Sequence, residues 1–407
     1  MLSKRVSIII MDGNDACVTS HGPYNPKLPM QIGLLSKTTT KYSADMLRRN
    51  WFASTMSTGA VAVVIGQTPF SFSGLETIGK IFFIVDLVMF VMASILITAR
   101  FILRPGAISK SMHYPAEALF FGSFWVSIAL ILNCTQVYGV PSCGPWLVVT
   151  IRVCFWIYSA LVIFVAVFQY AKLFIAERLQ VADAMPAWIL PMYPFLVLGP
   201  LVATLAPSQP QESAITMLVA GVTFQGLGWM VSIFMYTIYI LRLMSSELPP
   251  ASLRPAMFIS VGPAAYTSAA FVALGTQVRN ILPPDFMGVS GIPAGEVLRI
   301  IGIVMGIFLW LLAFWFFAVT CWGIVDGFSE MSFTLTWWAF IFPNGGLTLA
   351  TIQIGNALDS HGIKVLGSIM TVLLVVAWLV VAAACVKALW ERKILWPGMD
   401  DDKDMEV

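Results

Sequence analysis

Apolar runs of about 20 residues recur along the chain from Trp51 almost to the C-terminus, broken by short stretches of charge, proline and glycine. Each run is long enough to cross about 30 Å of hydrocarbon as a helix rising about 1.5 Å per residue. The pattern predicts an all-α integral membrane protein with ten transmembrane helices, at 51–67, 79–102, 114–133, 147–171, 185–204, 213–242, 255–275, 296–322, 333–355 and 363–389. Residues 1–45 are polar and read as a disordered cytoplasmic tail, 46–398 as the transport domain, and 399–407, with Asp400, Asp401, Asp402, Asp404 and Glu406, as an acidic cytoplasmic tail.

Prolines inside spans follow a second pattern. They occur only in odd-numbered spans: Pro186, Pro191, Pro194 and Pro200 in the fifth, Pro263 in the seventh and Pro343 in the ninth. Odd spans begin near 51, 114, 185, 255 and 333, at intervals of 63, 71, 70 and 78 residues, which suggests five repeated helical hairpins. An interior proline strands the carbonyl four residues earlier, here Leu190, Ile259 and Ala339. Lipid cannot satisfy such groups, so broken backbone at membrane depth must be buried in protein or face a wet cavity. The odd helices are therefore expected to form an inner ring and the even helices an outer one.

Composition agrees with a lipid environment: 58% of the 407 residues are hydrophobic and 11% charged, against about a quarter charged in soluble domains. With the N-terminus inside, seventeen Lys and Arg fall on cytoplasmic connections and three outside, so both termini are expected in the cytoplasm, with the plasma membrane as location. A net charge of +2 without a basic stripe argues against nucleic acid as a partner. The six cysteines form no C-x-x-C pair, and no metal or other cofactor is expected. Cys134 and Cys143 flank one outer connection and are read either as a disulfide or as two free thiols. The chain's three histidines, His21, His113 and His361, lie outside the depth of any span, which disfavours a membrane-embedded enzyme.

Candidate chemistry concentrates in few places. In the ninth span Phe342-Pro343-Asn344-Gly345-Gly346 breaks the helix, and two glycines leave its backbone uncovered, so the next half-helix is expected to aim N–H donors and its positive end at an anion. Phe342 either gates the path or packs in the bundle. Small and polar groups at comparable depth, among them Ser57, Thr58, Ser260, Tyr266, Asn344 and Thr348, serve either a substrate or close helix packing. Arg100, near the inner end of the second span, costs up to about 3 kcal/mol unless it reaches water or a partner; it is either a counter-charge for substrate or a snorkelling residue. Asp86, the acid deepest in a span, either takes up a proton or bonds a neighbouring helix. Glu117 caps the third span, and the aromatics of the eighth (Phe308, Trp310, Phe314, Trp315, Phe316, Phe317) read as lipid-facing or packed.

Several segments together resemble the tellurite-resistance/dicarboxylate transporter family, with its slow anion channel-like fold, and especially the fungal malic acid transport branch. They are Trp51 to Gly59, Tyr114-Pro115 with Leu119-Phe120-Phe121, Gly221 to Gly228, Gly262-Pro263, and Trp337-Trp338 through Phe342-Pro343-Asn344. The resemblance covers residues 50–398. It implies five hairpins with odd helices inside, a pore-facing phenylalanine matched by Phe342, and an arginine on the substrate carboxylates matched by Arg100. Bacterial and plant members are trimers, so a homotrimer is a plausible assembly. The chain departs from the family at Tyr114-Pro115, a His-Pro elsewhere, with His113 one place earlier, and at Gly66, where relatives often carry histidine. The expected function is transport of C4-dicarboxylates of the malate, succinate and fumarate class across the lipid bilayer. The alternative is a sulfite or inorganic-anion exporter or channel.

Overall fold

All ten apolar runs are helical in the computed structural model, which describes residues 51–103, 106, 115–176, 180–288, 291 and 293–394, and no strand occurs among them. Both expected tails, together with His113 and Tyr114, lie outside the described residues. Eight of the helical stretches are long and apolar enough to cross a membrane. The first and ninth runs fall short: their α-helices, Phe52–Gln67 and Phe342–Ala357, have 16 residues each, or about 24 Å. In the ninth the shortfall has a local cause, because its first residues, Leu335–Phe340, wind as a 3₁₀ helix instead.

Burial separates the segments by the proline pattern. In the most apolar windows of Pro186–Ser208 and Ala251–Ile281, 94% of residues are buried, whereas the share is 22% in Leu75–Leu103, Ala294–Glu330 and His361–Trp390. The proline-free helices are long and turn large apolar side chains outward, among them Ile84, Phe164, Phe234, Phe308 and Leu373. Such a surface belongs in lipid. The eighth segment does both things expected of its aromatics: Phe308, Phe314 and Trp315 are exposed, while Phe316 is buried against Tyr236. Among the buried segments, the first packs on the third, the third on the fifth, the fifth on the seventh, the seventh on the ninth, and the ninth on the first. Cys134 and Cys143 are both free thiols.

Segments five, seven and nine share an unusual start. Each begins as 3₁₀ helix (Pro186–Met192, Ala251–Ser260, Leu335–Phe340) and turns α-helical at Tyr193, Val261 and Phe342. Pro194, Pro263 and Pro343 thus stand in the first three positions of an α portion, where a missing N–H breaks no intrahelical bond. Runs of 3₁₀ helix longer than about four residues are uncommon, and here side chains from other segments support them.

The seventh segment shows how. The hydroxyl of Tyr193 donates to the carbonyl of Ile259, the group stranded by Pro263. The Tyr236 hydroxyl donates to the Ser260 carbonyl at 2.6 Å and accepts from the Ala264 N–H at 3.2 Å, inserting itself into the i to i−4 ladder. Gln225 accepts from the Gly199 N–H at 3.3 Å and donates to Thr267 at 2.9 Å, tying the sixth segment to the fifth and seventh. In the fifth segment the Leu190 carbonyl, stranded by Pro194, accepts the Tyr193 N–H in 3₁₀ geometry, and Tyr170 donates to Trp188 O at 3.0 Å. Gly262 leaves room for the Tyr193 ring, since a Cβ there would lie 2.9 Å from Tyr193 Cζ.

Two outcomes are expected. Tyr236→Phe removes one hydroxyl that serves two buried backbone groups and should cost about 2 kcal/mol, lowering the thermal unfolding midpoint in detergent by several degrees. Tyr239→Phe, at a buried tyrosine whose hydroxyl has no hydrogen-bond partner, should leave that midpoint unchanged. Gly262→Ala displaces the Tyr193 ring and should destabilise by about 1–3 kcal/mol. Gly226→Ala, where a new Cβ meets nothing within 4 Å, should be neutral or slightly stabilising in the same assay.

Candidate functional site

The 3₁₀ to α junction of the ninth segment carries Phe342 into the centre of the buried segments, where it is 1% exposed. Its ring stacks on Tyr266 of the seventh segment, centroids 4.8 Å apart and planes 23° apart, and touches Tyr193 of the fifth at 5.5 Å. The Tyr266 hydroxyl donates to the Phe342 carbonyl at 3.0 Å. Gly346 makes the stack feasible, because a Cβ there would lie 2.7 Å from the Tyr266 ring. The ladder continues through the junction, with Ile341 N–H donating to Trp338 O and Gly345 N–H to Ile341 O at 2.8 Å. The glycine pair therefore admits an aromatic ring, and the Gly345 donor expected to face an anion is used within the helix.

Two small cavities flank this aromatic contact, and each is lined by residues from the first, third, fifth, seventh and ninth segments. One is bounded by Ala53, Phe120, Tyr193, Ile259 and Phe342 among others, and the second by Ala60, Asn133, Pro200, Tyr266 and Leu349. Their volumes, about 20 and 10 Å³, match one water molecule each. Neither has room for an organic anion of a few carbons in this conformation. The lining is almost wholly apolar.

Most of the candidate polar side chains are engaged in holding helices. Ser57 donates to Trp338 O at 2.9 Å, across to the ninth segment. Thr58 donates to Ser54 O at 2.8 Å and accepts from the Trp378 indole at 2.9 Å. Ser260 donates to Met257 O, Thr348 to Asn344 O, and the Asn344 amide to Phe340 O. A hydroxyl has a single proton, so in this conformation the four hydroxyls offer an anion only lone pairs. Tyr266 and Phe342 line the cavities, and the other five do not.

Arg100 occupies the last turn of Leu75–Leu103 and is half-buried. Phe52 packs on Phe90, and Asp86 lies against Gly59, so this helix runs antiparallel to the first. Ten residues beyond Phe90, Arg100 stands about 15 Å past the level of Phe52, at the mouth by the start of the first segment. Asp86 is fully buried, and neither carboxylate oxygen has a hydrogen-bond partner. Near the opposite end of the bundle Arg299 and Arg279 both pair with Glu296, so Arg299 is part of a polar cluster.

Tyr193, Tyr236, Gln225 and Asn133 are central to this architecture, yet sequence reasoning did not single them out as site residues. For Gln225 the signal is a lone amide in a long apolar run, which membrane depth makes conspicuous. Two tyrosines three residues apart, Tyr236 and Tyr239, carry no signal that separates the bonded one from the other. Arg242, counted above only for orientation, is 8% exposed and donates to Ala182 O at 3.2 Å.

Comparison with known proteins agrees with this geometry. The malic acid transport protein of Schizosaccharomyces pombe is 33% identical over 356 residues, covering 87% of this chain and 81% of that protein. A putative malic acid transport protein of the same organism is 32% identical over 357 residues, covering 87% and 82%. The sulfite efflux pump SSU1 of Arthroderma benhamiae is 26% identical over 341 residues, covering 83% and 89%. The model of the SLAC1 family, described as voltage-dependent anion channels, matches residues 47–386, and the chain belongs to that family, as a multi-pass anion transporter and not an enzyme.

Proposed function

We propose that this chain is a plasma-membrane carrier for C4-dicarboxylates such as malate. Its ten helices form five hairpins, and the odd segments surround a path closed by Phe342. One observation carries the reading: two cavities, each bounded by all five odd-numbered segments, meet at the Phe342–Tyr266 stack. A dianion cannot be desolvated unpaired, and Arg100 at the mouth supplies matching charge where the substrate first sheds water. Ser57 and Tyr266 each donate to a carbonyl of the ninth segment. Shifting that segment to move Phe342 aside would free both hydroxyl protons for the substrate, with Thr58, Ser260, Asn344 and Thr348 lining the widened path. The positive-inside count supports cytoplasmic termini, and a homotrimer is part of the proposal on the family resemblance alone.

A sulfite or inorganic-anion exporter on the same fold is the second reading, and the sulfite efflux pumps among the relatives favour it. Higher identity to the malic acid transport proteins weighs toward the first. Competition against labelled malate uptake in proteoliposomes by succinate, fumarate, sulfite and chloride separates them: dicarboxylates should compete and chloride should not. Uptake of sulfite without any of malate would end the dicarboxylate reading.

Two substitutions test the parts. Phe342→Ala should raise anion flux severalfold in the same vesicles by removing the ring that closes the path; flux at or below the wild-type level would show that the ring is packing and not a gate. Arg100→Ala should abolish malate uptake while elution and thermal unfolding in detergent stay as in the wild type. Normal malate flux in that variant would remove Arg100 from the binding machinery.

A further inference from the structure

Buried amides in this protein are paired to different degrees. Gln225 is paired at both ends, its oxygen with the Gly199 N–H and its nitrogen with Thr267. Asn133, on the third segment and 3% exposed, is different: it lines the cavity beyond the Phe342–Tyr266 stack, and its Oδ1 has no hydrogen-bond partner. Tyr266 is the other hydrogen-bonding side chain in that lining, and its proton is held by the Phe342 carbonyl. Around them the lining is Ala60, Val63, Leu130 and Leu349.

A buried amide oxygen without a donor costs stability that a leucine of similar size would not. Gln136, Gln169, Gln209 and Asn344 likewise leave an oxygen bare, but they bond protein through the amide nitrogen and none of them lines either cavity, so among these amides Asn133 is the one placed to meet a passing solute. The amide offers an acceptor and donors in one plane, whichever way its oxygen and nitrogen are assigned. An anion that carries no donor fills only half of that pair. An α-hydroxy carboxylate fills both: its carboxylate accepts from Nδ2, and its hydroxyl donates to Oδ1.

We propose that Asn133 forms a selectivity station for hydroxylated carboxylates, preferring malate over succinate by bonding the substrate hydroxyl beyond the Phe342 gate. The inference rests on the dicarboxylate reading above and narrows it. A site built to bond a hydroxyl penalises the analogue that lacks one, so selectivity, more than turnover, should depend on this residue.

The test uses the full chain in proteoliposomes, with uptake of labelled malate and labelled succinate measured separately. Wild type should favour malate. Asn133→Leu should erase most of that preference, weakening malate about tenfold more than succinate, and the succinate uptake that remains reports that the variant is folded. If leucine prevents folding, Asn133→Ala, which removes the amide without adding bulk, gives the same comparison. A folded variant that keeps the wild-type preference overturns the inference and leaves dicarboxylate transport standing. Equal handling of the two substrates by wild type overturns it as well. Wild-type vesicles that move sulfite but neither dicarboxylate overturn both this inference and the function on which it rests.

Discussion

The constraint that organises this molecule is the demand that every backbone group freed inside the membrane find a partner. Lipid offers none, and segments five, seven and nine each change from 3₁₀ to α helix around a proline. The fold answers with side chains borrowed from other segments: Tyr193 on Ile259 O, Tyr236 between Ser260 and Ala264, Gln225 on Gly199 N–H. A phenol suits this task because its ring packs like a hydrocarbon while one hydroxyl reaches the backbone. The long proline-free helices supply several of these groups, so they do more than screen the interior from lipid.

The same bonds tie Phe342 to its surroundings. Phe342 is held by a stack and a carbonyl bond from Tyr266, by the Tyr193 ring, and, four residues earlier in its segment, by the bond from Ser57 to Trp338 O. Tyr193 also holds the seventh segment through Ile259. Moving Phe342 thus disturbs contacts on the first, fifth and seventh segments together. A bundle knit in this way favours two discrete arrangements over continuous yielding, as packed cores generally do.

Much of this was legible in the residues, and the remainder was not for physical reasons. Alternating prolines identified the segments that had to be inside, since stranded carbonyls at Leu190 and Ile259 rule out contact with lipid. What fills those vacancies depends on contacts far along the chain: Tyr193 and Ile259 are 66 residues apart, and no local pattern links them. Tyr236 and Tyr239 are indistinguishable by type and nearly by position, yet one bridges a helix junction and the other bonds nothing. Gly345-Gly346 was read as uncovered backbone, and the absence of a side chain was read correctly. Its use was not, because the beneficiary is an aromatic ring on another segment. Hydroxyls such as Ser57 and Thr348 were recognisable as interior groups, but the direction of a single proton follows from tertiary geometry.

That geometry leaves a question of electrostatics, which its own arrangement answers. Among the described residues no basic side chain lines either cavity, and Arg100 lies about 15 Å beyond the level of Phe52. On the transport reading proposed above, a fixed cation at the centre would hold an anion too firmly to release it, since conduction requires sites strong enough to enter and weak enough to leave. The helix junctions add little charge there either. Tyr266 lies in the second turn of the helix that begins at Val261, and at Phe342 the ladder runs on from the 3₁₀ turns, with Ile341 N–H on Trp338 O and Gly345 N–H on Ile341 O. The positive end of the ninth segment, about half a charge that fades within a turn, therefore lies where its 3₁₀ helix begins, at Leu335. Positive potential is left to the ends of the buried segments, and the aromatic contact between the two cavities is neutral.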